Sequence, residues 1–94
     1  MHVRVVRFTD VNAGQLDAVS TRIQEEGGPP PGVSATRLIV LHDESQATAV
    51  VLQFFDSADD MESSARVLAA MDPSETPGRR ASVDACVVKL DRKA

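Results

Sequence analysis

Apolar and polar positions alternate along this chain with two periods, and the places where the period changes divide it into six elements. His2 to Phe8 carries Val3, Val5, Val6 and Phe8 with no Gly or Pro between them, which predicts a first strand. Alternation puts Val3, Val5 and Arg7 on one face and His2, Arg4, Val6 and Phe8 on the other, so both faces need partial cover. At Asn12-Ala13-Gly14-Gln15 the pattern changes to a capping box, and Leu16, Val19 and Ile23 follow at helical spacing with Asp17, Arg22, Gln24, Glu25 and Glu26 on the solvated side. Gly27-Gly28-Pro29-Pro30-Pro31-Gly32 ends that helix, because the glycines suit its C-terminal cap and proline lacks the donor to continue it. Val33 to His42 predicts a second strand. Asp43 to Gln46 is a polar connection of hairpin length, and the third strand runs from Ala47 to Phe55. Ser57 with Asp60 signals a second helix, from Ser57 to Met71, with Met61, Ala65 and Leu68 on its apolar stripe. Met71-Asp72-Pro73 stops it, a loop runs to Gly78, and Ala81 to Leu90 predicts the last strand before a polar tail.

The order strand, helix, strand, strand, helix, strand is that of the α+β ferredoxin-like βαββαβ fold, a four-stranded antiparallel sheet with two helices on one face. Leu16, Val19, Ile23, Met61, Ala65 and Leu68 are expected to pack on Val50, Leu52 and Phe54. In the second strand Val33, Ala35, Ile39 and Leu41 share one side, and the third strand is apolar on both sides. The helix-free face is therefore too apolar for water, and a second copy of the chain is the simplest cover.

Composition narrows the function classes. Ninety-four residues, 43% hydrophobic and 26% charged, make one globular domain over 1–94 with a thin core that a homodimer would supplement. The net charge of −4 and the scattered basic residues argue against nucleic acid as a partner. No apolar run reaches membrane-spanning length, and arginines interrupt the N-terminal apolar stretch, so the chain reads as cytoplasmic with no membrane partner. The single cysteine, Cys86, is expected to be a small buried strand residue, and with two scattered histidines it gives no zinc spacing. The acids Asp56, Asp59 and Asp60 are explained by the positive end of the second helix, and no metal is expected there. Arg79-Arg80 is expected to lie in solvated loop.

Pro31-Gly32-Val33, Phe54-Phe55-Asp56-Ser57 with Asp60-Met61, and Arg80-Ala81-Ser82-Val83 resemble the openings and junctions of dimeric α+β-barrel proteins of the antibiotic-biosynthesis-monooxygenase-like kind, across nearly the whole chain. The resemblance implies a dimeric barrel with two sheets face to face around a cavity. It also implies either cofactor-free oxygenation of aromatic molecules or oxidative haem degradation. The haem-degrading branch has an asparagine late in strand one, a tryptophan ending strand three and a histidine on helix two. Here Arg7 and Phe55 stand near the first two positions and helix two has no histidine, which argues against haem. No Trp or Tyr is present to frame a flat substrate, but an apolar cavity can still form.

If Phe55 faces that cavity, alternation brings Gln53, Val51 and Ala49 with it and leaves Phe54, Leu52 and Val50 for the helices. Arg7, Val5 and Val3 join from strand one and Arg37 from strand two, with Asp84 or Cys86 from strand four under the opposite parity. A buried arginine needs a partner, here Asp84, Gln53 or an anionic ligand. His42, beside Asp43 and Glu44, is the residue suited to proton transfer near neutral pH. No serine or cysteine triad and no phosphate loop occurs. The expectation is a monooxygenase-like protein acting without metal or cofactor on a small apolar or aromatic molecule. Its catalytic candidates are His42 and Arg7, and Arg7, Arg37, Val51, Gln53 and Phe55 bind substrate. The alternative is a non-catalytic dimeric barrel that binds a small ligand or serves as an assembly partner.

Overall fold

The structure, a computed structural model, describes residues 1–70 and 76–93. Its elements are β1 (His2–Thr9), α1 (Ala13–Glu26), β2 (Arg37–Asp43), β3 (Thr48–Phe55), α2 (Ala58–Ala69) and β4 (Arg79–Val87). The four strands form one antiparallel sheet in the order β2-β3-β1-β4, with β1 and β3 paired at its centre. This is the ferredoxin-like arrangement that the element order predicts.

The helix ends form where capping chemistry supplies partners for free backbone groups. The Asn12 side chain accepts from the backbone N–H of Gly14 and Gln15, and Gly27 closes α1 in the left-handed region at φ 70°. Gln15 does not reach back to complete the capping box. Its Nε2 instead donates to the Thr76 carbonyl at 2.7 Å and ties the start of α1 to the segment leading into β4. Ser57 Oγ accepts from the Asp60 N–H at 3.1 Å at the start of α2. The Met71-Asp72-Pro73 stop lies outside the described residues. Between β2 and β3, Asp43 accepts from Ser45 and Gln46 around a short 3₁₀ turn.

The register decides which residues meet the helices, and here it overturns the expected parity. Val6 lies opposite Val51, and Phe8 opposite Ala49. With Val11 and Leu16 of α1, Val6, Phe8 and Ala49 form one core cluster, onto which Val40 and Val51 pack. A second cluster joins Phe55, Val33 and Leu68, with Met61, Val67 and Ala35 against it. The helix side of β3 is thus Ala49, Val51, Gln53 and Phe55. The expected contributors Val50, Leu52 and Phe54 face the other way. Because β3 is apolar on both sides, its alternation carries no parity signal. The pairing with β1 supplies one.

Strand two is shorter than expected. Residues 33–36 run outside the ladder, and Val33 turns inward onto Phe55 and Leu68, away from the side of Ile39 and Leu41. Ser64, which is 0% exposed and lies beside the expected α2 stripe, anchors this segment by accepting from the Ser34 N–H at 2.9 Å. Strand four begins two residues early, so Arg79 and Arg80 are strand residues, with a register shift where β4 passes Arg7 and Phe8. Cys86 is exposed and lies opposite Val3 on the helix-free side, a correction to its expected burial: β4 is an edge strand, and its side chains on that face lie open. No helix among the described residues is long and apolar enough to cross a membrane.

Candidate functional site

Only Leu16 of the α1 stripe is buried; Val19 and Ile23 stand back from the sheet and line an open cavity of roughly 710 Å³. The cavity lies on the helix side of the sheet within one chain, whereas the sequence places it between two helix-free faces. Its floor is Val6 and Phe8 of β1 with Val51 and Gln53 of β3, and residues 76–80 close one end. Gly78 makes that closure possible: a Cβ there would sit 2.5 Å from the Thr9 carbonyl oxygen, so only glycine lets the segment lie against the end of β1.

Arg4 projects onto this floor from the middle of β1. It is 6% exposed, and its Nη1 donates to Gln53 Oε1 at 3.0 Å across the β1–β3 ladder. Arginine only donates, so this bond fixes the Gln53 amide with its oxygen toward Arg4. Among the described residues the buried Arg4 Nε–H has no acceptor and no carboxylate pairs with the guanidinium. Burial, and then the positive charge of Arg80, push the Arg4 pKa below the ordinary guanidinium range. The site therefore holds a cation whose charge the described residues leave uncompensated, in a mainly apolar hollow.

The structure separates the sequence-derived candidates. Gln53 and Val51 line the cavity. Phe55 shares their face but is fully buried in the α2 cluster and does not line it. Arg7 is exposed and lies opposite Val50 on the helix-free side. Arg37 borders the cavity, while its guanidinium lies 5.8 Å from the centre of the Phe54 ring. His42 is exposed at the far end of β2, opposite Ala49, and is not among the cavity residues. Asp84 is exposed on β4 opposite Val5 and does not meet Arg4. Arg4 is the residue that sequence reasoning passed over. The signal was present in the pair Arg4 and Arg7: three residues apart on a strand, they must occupy opposite faces. Among the described residues no group of three or more His, Cys, Asp or Glu side chains is placed to hold a metal ion.

No protein-family profile and no curated protein sequence matches the chain significantly. Solved structures do match its fold. A candidate antibiotic biosynthesis monooxygenase from Chloroflexus aurantiacus is 15% identical, with a TM-score of 0.59 over 98% of this chain and 96% of that one. A variant of MhuD with two manganese protoporphyrin IX molecules bound per active site is 14% identical, with a TM-score of 0.62 over the whole of both chains. A NIPSNAP-domain protein from Burkholderia xenovorans is 17% identical, with a TM-score of 0.53, again over both whole chains. The fold of this chain is the α+β ferredoxin-like fold that these solved structures share.

Proposed function

We propose that this is a monooxygenase-like protein that binds a small, mainly apolar or aromatic molecule in the cavity between α1 and the sheet. The observation that carries the reading is the pairing of a roughly 710 Å³ apolar hollow with a buried Arg4 that, among the described residues, Gln53 alone partners. Pockets of this size, with a few placed polar groups, are what small-molecule sites require. An electron-rich aromatic substrate, ionised to its enolate or phenolate, can itself deliver electrons to dioxygen. Its oxidised CH₂ carbon becomes a carbonyl, and the second oxygen atom leaves with the two hydrogens as water. Arg4 would stabilise the oxygen anion, and Gln53 would hold Arg4 in place and offer its amide N–H₂ as a second donor.

The test is dioxygen uptake with a hydroxyanthrone. The protein should accelerate uptake over the spontaneous rate, and Arg4→Met should remove the acceleration. Binding of the hydroxyanthrone with no acceleration would defeat the enzyme reading. One observation favours that second reading, a non-catalytic ligand-binding barrel: among the described cavity residues there is no histidine, tyrosine or cysteine, and Glu26 is the one carboxylic acid.

The proposal extends to a cytoplasmic homodimer. Val5, Ile39, Leu41, Val50, Leu52 and Phe54 form an apolar band on the helix-free face, bordered by Arg7, Arg37 and Asp84, with Leu41 half exposed in the single chain. A stable monomer by light scattering at micromolar concentration would end that part of the proposal.

A further inference from the structure

Resting on the reading of the cavity as a ligand site, we infer that its ligand is an apolar molecule bearing a carboxylate. Arg4 and Arg80 grip the carboxylate, while its hydrophobic body lies against Val6, Val51, Val19 and Ile23. Three observations converge on this. First, the protein is acidic overall, yet among the described residues Arg4 and Arg80 share the cavity face of the sheet, and the single acid lining the cavity is Glu26. A charge distribution so opposed to the net charge marks where an anion is received.

Second, Arg4 has donors left over in a useful arrangement. Nη1 donates to Gln53, and among the described residues the buried Nε–H has no acceptor. The Nε–Nη2 edge of a guanidinium presents two parallel N–H groups, and a carboxylate accepts both at once. Third, the β1–β4 register shift sets Arg80 opposite Phe8, on the same face as Arg4, and both side chains line the cavity. Their positive charges oppose each other, which adds to the effect of burial in lowering the Arg4 pKa. An anion between them turns that repulsion into two attractions and compensates a buried charge that is otherwise costly.

The inference is tested by calorimetric titration of the wild-type protein with 2-naphthoate, 2-naphthamide and naphthalene-2-sulfonate, which share one ring system. The carboxylate should bind about tenfold or more tightly than the carboxamide, the factor expected for one charge-assisted pair. Arg4→Met should bring the two ligands to within about twofold of each other while far-UV circular dichroism shows the fold retained, since the substitution removes an uncompensated buried charge. Arg80→Gln, a change at an exposed side chain, should reduce the preference without abolishing it, which keeps the test informative if Arg4→Met does not fold. Equal binding of carboxylate and carboxamide would overturn the inference while leaving the cavity reading intact. Tighter binding of the sulfonate would overturn the assignment to a carboxylate. Failure of all three ligands to bind would overturn the cavity reading and this inference together.

Discussion

Phe54 and Phe55 are adjacent in sequence and face opposite ways, so truncating each in turn measures what each side of the sheet contributes. Phe55 is 0% exposed and is enclosed by Val33, Leu68, Met61 and Val67. Phe55→Ala removes an aromatic ring from a site whose neighbours sit on α2 and on the segment before β2, both fixed elsewhere, so the space cannot collapse fully. The expected loss is about 3–5 kcal/mol. For a domain of this length that corresponds to a fall in melting temperature of at least about 12 °C, and it consumes much of the roughly 5–15 kcal/mol that holds a small domain folded. Phe54 is half-buried on the helix-free side beneath Arg37. Within one chain Phe54→Ala should cost about 1–2 kcal/mol, from partial loss of apolar cover and of the cation–ring contact. If a second copy covers that face, the Phe54→Ala loss should also shrink as protein concentration falls, because dilution removes the dimer stabilisation from the wild type too, whereas the Phe55→Ala loss should stay constant. The assay is urea unfolding followed by far-UV circular dichroism at two concentrations a hundredfold apart, because the chain has no Trp or Tyr to report by fluorescence. A larger loss for Phe54→Ala than for Phe55→Ala at both concentrations would refute the assignment of β3 faces.

Ser64→Ala should cost about 1 kcal/mol by leaving the Ser34 N–H without its acceptor, while the exposed neighbour Ser63→Ala stays within about 0.5 kcal/mol in the same unfolding experiment. Gly78→Ala places a methyl group against the Thr9 carbonyl oxygen, so the backbone must move; a loss of about 1–3 kcal/mol is expected, read as a lower melting temperature. Asp43 is held below the ordinary aspartate range, first by its hydrogen bond from Ser45 and then by that from Gln46. Its folded pKa is depressed, so its contribution to stability is full above the unfolded value and is lost as pH falls through the folded one. Carboxyl titration by NMR should show Asp43 protonating at lower pH than a free aspartate, and Ser45→Ala should move it back upward.

Much of the fold can be read along the chain because it depends on local chemistry. Asn12 and Ser57 cap helices where free N–H groups need acceptors, Gly27 takes the left-handed cap, and strand and helix periods alternate in an order that admits few topologies. Less of the site can be read this way. Ala47 to Phe55 is apolar in both of its alternating sets, so nothing local distinguishes Phe54 from Phe55, and the expected core took the wrong set. Arg4 and Arg7 necessarily divide between the two faces, but which of them is buried is settled only when β1 pairs with β3 and sets Arg4 opposite Gln53. The cavity has a similar origin. The stripe Leu16, Val19, Ile23 predicts a seated helix, yet only Leu16 is buried, with Gln15 bonded to Thr76 at the same end of α1. Sequence alone determined the elements, their caps and their order, since each rests on interactions within a few residues. The inward faces of the strands, the space left beneath α1 and the arginine that faces into it were decided by tertiary structure, because each depends on contacts between segments far apart in the chain.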